Sequence, residues 1–207
     1  MVTHRQYQLS QKDHWENNGV LDDILTWSDE GRDAILWVGG SSGNQDTWVT
    51  ELSTDINIAL QPQLVTVLFV FCKERGSQQL TPLRLIRRLL VQLLELHPEL
   101  AYQHPEFCNL SKFQNSVSFG QTWRLFEAMA SELQNLFIVI DRVEECEADN
   151  HANVIHHLLP RLIDFGRRRE TVSVIVTSIF NPPDEVAELP MYASYIDTSK
   201  RANRKME

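Results

Sequence analysis

Apolar residues along the chain fall into two alternating periods. Leu21, Ile24, Leu25 and Trp27 recur at helical spacing within GVLDDILTW, and the polar SDEGRD closes that segment. AILWVGG, 34–40, is instead a short continuous apolar run ending in two glycines, the pattern of a strand buried on both faces. A polar loop follows, and from Thr47 the residues Trp48, Leu52 and Ile56 stand four apart, which predicts a helix. LVTVLFVFC, 64–72, predicts a second buried strand. TPLRLIRRLLVQLLEL, 81–96, predicts a helix capped by Thr81, with Pro82 in its first turn and a stripe of Leu85, Leu89, Leu93 and Leu96; His97-Pro98 ends it.

The segment 97–115 reads as irregular or weakly helical. Ser118 then opens a helix carrying Trp123, Phe126, Met129 and Leu133 on one side. NLFIVID, 135–141, is a strand ending in a carboxylate; 153–166 is helical; VSVIVTSIF, 172–180, is a fourth strand; and ASYI is a short one. Strands alternating with helices imply a mainly parallel sheet of about five strands covered on both faces, a three-layer α/β fold. The segmentation sets apart an N-terminal segment 1–18, a domain 19–189, and a polar tail 190–207.

Composition narrows the class. The 207 residues are 43% hydrophobic, enough for one sizeable core, and the net charge is −9. That balance argues against a general nucleic-acid binder, which needs a net basic face. The sequence has no apolar run long enough for a membrane span and no signal-peptide core at its start, so a cytoplasmic setting is expected. Cys72, Cys108 and Cys146 are odd in number and far apart in sequence, so they read as free packing thiols.

Two strand ends carry the chemistry, because ligands of parallel α/β sheets bind beyond the carboxyl ends of the strands. GSSGNQDT, 40–47, stands where a phosphate-binding P-loop, GxxxxGK[ST], would lie, and FIVID, 137–141, resembles the acidic strand that accompanies it. LWVGGSSGNQDTW, VLFVFCKER, RLIRRLLVQLL, WRLFEAM, FIVIDRVEECE and VIVTS together resemble, in order, the landmarks of the NACHT-type STAND NTPases of filamentous fungi, of the kind with a nephrocystin-3-like N-terminal domain. The resemblance covers about 19–183. It implies a P-loop domain with its P-loop strand central and beside the strand that follows the acidic one.

By this resemblance Gly40, Gly43, Asn44 and Thr47 belong to the nucleotide loop. Thr47 and Asp141 would face Mg²⁺, and Glu144 and Glu145 match the acidic pair that places the metal and the attacking water. Two positions depart from the pattern: Gln45 replaces the second required glycine and Asp46 the required lysine. A carboxylate about 4 Å from a phosphate charge is repelled by about 4 kcal/mol at an effective dielectric of about 20, on top of the attraction lost. Ile179 stands where the family often carries a phosphate-sensing Arg. The expected function is therefore a degenerate module, not an active NTPase, that works through protein partners or self-association in assembly or regulation, without nucleic acid or membrane. No cofactor is assigned to it; ATP or GTP with Mg²⁺ is what the alternative, a weak nucleotide-binding switch with little or no hydrolysis, would take. A decaying gene product is a third reading.

Other residues fit plainer roles. EECEAD on its own also fits a solvated acidic loop. His156 and His157 read as surface residues, Arg167, Arg168 and Arg169 as a basic helix end, Ser41 and Ser42 as turn residues, and Trp37 and Trp48 as anchors. The chain stops soon after the fourth clear strand, so the reading expects a fragment, a truncated product or a lone module.

Overall fold

The computed structural model describes residues 19–30, 34–39, 47–60, 65–72, 80–103, 105, 118–146, 154–169, 171–180, 182 and 193–197. Within them the apolar runs become β1 (Ile35–Gly39), β2 (Thr66–Phe71), β3 (Leu136–Asp141), β4 (Val172–Thr177) and β5 (Ala193–Asp197). They form one parallel five-stranded sheet in the order β2-β3-β4-β1-β5. β1 therefore lies inside the sheet and next to β4, the strand that follows β3. β5 falls in the segment that the sequence sets apart as a tail, and it pairs with β1 along its whole length, Ile35 with Ala193 through Gly39 with Asp197.

Helices cover both faces. α1 (Val20–Glu30) and α2 (Thr47–Leu60) pack on one side, where Val20, Ile24, Leu52, Ile56 and Leu60 meet Leu36, Val38, Val139 and Ile175. α3 (Pro82–Leu96), α5 (Phe119–Ala130) and α6 (Leu159–Arg168) pack on the other, where Leu85, Leu89, Phe126 and Leu162 meet Leu68, Ile138, Ile140 and Val174. Strand residues alternate between the two clusters because successive side chains point to opposite faces. That alternation makes β1 and β3 read as unbroken apolar runs: both are buried throughout.

β2 differs from its expectation. The sequence predicts a fully buried strand, but only Leu68 and Val70 are buried within it, because β2 is an edge strand. The leucine stripe of α3 is likewise shorter than expected: Leu85, Leu89 and Leu93 are fully buried, whereas Leu96 in the last turn is 55% exposed. Thr81 caps α3 as expected, its Oγ1 accepting from the Arg84 N–H, and His97 closes the helix. The short α4 (Glu99–Gln103) follows directly.

Ser118 caps α5 by accepting from the Gln121 N–H. Its buried side is Trp123, Phe126 and Met129. The helix predicted to end at Gly166 begins with a π turn, Val154–Leu158, and runs on to Arg168. Gly166 is thus inside α6, where a Cβ would sit 2.8 Å from that of Ala34, so glycine lets the helix approach the start of β1. Arg167 and Arg168 both pair with Asp164, one turn earlier on the same helix.

Candidate functional site

The carboxyl ends of β1, β3 and β4 define one end of the sheet, and the side chains there are placed by α2 and by the turn after β3. Asp141, the last residue of β3, is 1% exposed. Its Oδ1 accepts from Ser53 Oγ at 2.7 Å and from Thr177 Oγ1 at 2.8 Å, and its Oδ2 accepts from Thr50 Oγ1 at 2.9 Å. Ser53 and Thr177 are themselves 3.1 Å apart. One carboxylate thereby ties α2 to β3 and β4, and both of its oxygens are occupied by hydroxyl groups. Burial pushes its pKa above the ordinary carboxylate value, while the bonds from Ser53, Thr177 and Thr50, and the neighbouring Arg142 charge, act the other way.

Arg142 follows in the left-handed conformation, φ 56° and ψ 56°, the one non-glycine residue with positive φ among the described residues. This reversal turns the chain out of β3 into the single 3-10 turn Val143–Glu145 and folds the Arg142 side chain back over it. Its Nε donates to Glu144 Oε1 at 3.2 Å and one terminal nitrogen to Glu145 Oε1 at 2.6 Å. Arg142 is 5% exposed at its side chain and Glu144 11%, so the pairs are largely sheltered from solvent. Glu144 Oε1 also accepts from the Ile179 N–H at 3.5 Å, and its Oε2 is buried without a hydrogen bond among the described residues. The Arg142 N–H donates to Thr177 Oγ1, which joins this group to the hydroxyl network around Asp141.

Among the residues expected at the site, Asp141, Glu144 and Glu145 therefore stand together at the end of β3. Gly40, Gly43, Asn44, Gln45 and Asp46 lie outside the described residues. Thr47 opens α2, but its side chain, like that of Trp48, lies outside them too. Gly39 immediately precedes the loop: a Cβ there would meet the Phe180 carbonyl at 2.5 Å and Trp37 Nε1 at 2.8 Å. Trp37 acts as the expected anchor, buried and donating to the same Phe180 carbonyl at 3.1 Å.

Sequence reading missed Thr50, Ser53 and Arg142. Ser53 left a signal: it stands beside Leu52 and three before Ile56, on the buried side of α2, and a hydroxyl there requires a partner. Arg142 left none, because its role depends on a backbone reversal. Cys72 and Cys146 are free thiols packed in or against the core, as expected. Cys72 and Cys146 are far apart in sequence, but the turn after β3 brings Cys146 to the end of β2, where the two thiols share a hydrogen bond that, with burial, holds the Cys72 thiol well above its usual pKa. A buried thiol of raised pKa is inert, which agrees with packing. Cys108 lies outside the described residues. His156 and His157 are exposed, and no cluster of three or more metal-ligating side chains occurs among the described residues.

No helix among the described residues is long and apolar enough to cross a membrane. A chain in the structure of Drosophila ORC bound to AT-rich DNA and Cdc6 superposes with a TM-score of 0.53 at 13% identity, over 94% of this chain and 58% of that one. A chain of Drosophila ORC bound to DNA gives 0.47 at 14% identity over 93% and 45% of the two chains, and C. elegans PCH-2 gives 0.43 at 13% over 90% and 46%. The present chain thus spans little more than half the length of the ORC chain it matches, and the likeness is one of fold alone, an α/β domain built on a parallel sheet. No curated protein matches the chain. The nephrocystin 3, N-terminal family model matches residues 20–179, from α1 through the end of β4, and the chain belongs to that family.

Proposed function

We propose that this chain is a P-loop module with a degenerate nucleotide site, which acts by protein contact in the assembly or regulation of a STAND-type signalling system of the fungal NACHT kind. The observation that carries this reading is charge placement. In the sequence Asp46 takes the place of the phosphate-binding lysine of the P-loop pattern, and the acidic groups at the end of β3 are engaged internally: Asp141 by three hydroxyls, and Glu144 and Glu145 by Arg142. A triphosphate with Mg²⁺ needs cations aimed at its oxygens and carboxylates free to take the metal. Arg142 is a cation at the right end of the sheet, but it is directed at two glutamates of its own turn.

The retained sheet, the caps of α3 and α5 and the closed hydroxyl network support a scaffold kept for its shape. We assign the module to residues 19–189 with β5 added to its sheet, and its setting to the cytoplasm. DNA is part of the ORC complexes named above, whereas a net charge of −9 argues against nucleic acid for this chain. Thermal unfolding across millimolar ATP, ADP and GTP with Mg²⁺ tests the reading, because a ligand that prefers the native state raises apparent stability. A flat melting temperature is expected. A saturable rise with one nucleotide would replace this reading by the weak nucleotide-binding switch.

A further inference from the structure

Among the described strands β2 lies at the edge of the sheet, and its main-chain groups alternate in direction. The N–H of Thr66 donates to the Asn135 carbonyl and that of Cys72 to the Asp141 carbonyl, so the even-numbered residues face β3. Val67, Phe69 and Phe71 therefore direct their N–H and C=O groups away from the sheet. An edge of this kind is a template for another strand. The segment TVLFVF carries no charge, proline or bulge to deter pairing, and it is self-complementary about its centre: an antiparallel second copy aligned on Phe69 would set Val67 against Phe71 on both sides.

Among the described residues one side chain closes this edge. Gln92, on α3, accepts the Phe69 N–H at its Oε1 (2.9 Å) and donates from its Nε2 to the Phe69 carbonyl (2.7 Å). Its amide thus takes both bonds that one residue of an antiparallel neighbouring strand would take, at the middle residue of the outward row. Gln92 can reach because α3 packs on the face holding Leu68 and Val70, with Leu89, Leu90 and Leu93 buried around it. We infer that Gln92 is a plug that keeps the β2 edge from pairing with β2 of a second copy of this chain.

Two measurements on the full chain test this. In native-state hydrogen exchange the Phe69 amide should exchange about tenfold more slowly than those of Val67 and Phe71, the factor one net hydrogen bond supplies, and the difference should vanish in Gln92→Ala. In light scattering, Gln92→Ala should associate to twice the wild-type mass as concentration rises. Adding Val67→Pro should return it to the wild-type mass, since that proline removes an outward N–H and no ladder bond. Equal exchange at the three amides in the wild type would overturn the proposal, as would a folded Gln92→Ala that keeps the wild-type mass. Association that Val67→Pro leaves untouched would overturn it too.

Discussion

Asp141 offers the sharpest separation between a structural carboxylate and one that serves a metal. Truncation to Ala removes the acceptor for three hydroxyls. Ser53 and Thr177 remain within 3.1 Å of each other, and Thr177 still accepts from Arg142, so one of the two buried hydroxyls keeps a donor bond and the other loses it. An unsatisfied buried hydroxyl costs about 1–3 kcal/mol, and the half-buried Thr50 loses a bond with a net worth of about 1 kcal/mol. The sum, roughly 2–4 kcal/mol, lowers the melting temperature by roughly 5–15 °C for a chain of this size. Asp141→Asn is different. The amide oxygen still accepts from Ser53 and Thr177, its nitrogen donates to Thr50 once that hydroxyl turns, and no charge is buried, so the change should stay within about 1 kcal/mol of wild type at neutral pH. The pH dependence has a fixed sign. Burial raises the folded pKa above the unfolded value of about 3.9, so the native state holds its proton more tightly. The stabilisation is fully present below the unfolded pKa and is lost as pH rises through the folded one, so wild type should lose stability relative to Asp141→Asn from about pH 4 upward. Urea unfolding of the three proteins from pH 3 to 8 reads both effects. A fall for Asp141→Asn as large as for Asp141→Ala would refute the reasoning, because only a required negative charge would account for it.

Three further outcomes follow from named contacts, each read by urea or thermal denaturation. Gly39→Ala should cost about 1–3 kcal/mol, since its Cβ would overlap the Phe180 carbonyl and Trp37 and neither is the free end of a flexible chain. Arg142→Ala should cost about 3–5 kcal/mol by leaving Glu144 sheltered without its cation, and a substitution that proves neutral would show that the pair contributes nothing to stability. Thr81→Ala should cost about 1 kcal/mol through the lost cap of α3.

Much of the architecture was legible because its elements are locally consistent. Thr81, Pro82 and the leucines of α3 state where a helix begins and which side it buries, and the runs ILWV and LFIVI are apolar throughout because both faces of those strands are covered. The resemblance placed β1 inside the sheet beside the strand after β3, but the position of β2 could not be read. VLFVFC resembles the inner strands in composition, yet β2 lies at an edge, and only the pairing of strands decides that. Leu96 continues the stripe of α3, but at 55% exposure it lies past the end of the covered surface. At the site, Asp141, Glu144 and Glu145 were legible as a motif, whereas their partners were not. Thr50 and Ser53 come from a helix 88 to 91 residues earlier in the chain, and Arg142 turns toward its glutamates because of one left-handed residue.

The central claim is that the P-loop scaffold persists while its loop no longer takes a nucleotide. Calorimetric titration of ATP with Mg²⁺ into the wild-type chain and into the Gln45→Gly, Asp46→Lys double variant tests it directly. The account predicts no binding by the wild type and saturable binding by the variant, in which a lysine again meets the phosphates. Saturable binding by the wild type, with turnover abolished by Asp141→Ala, would contradict it, and failure of both proteins to bind would show a site degraded beyond the loop.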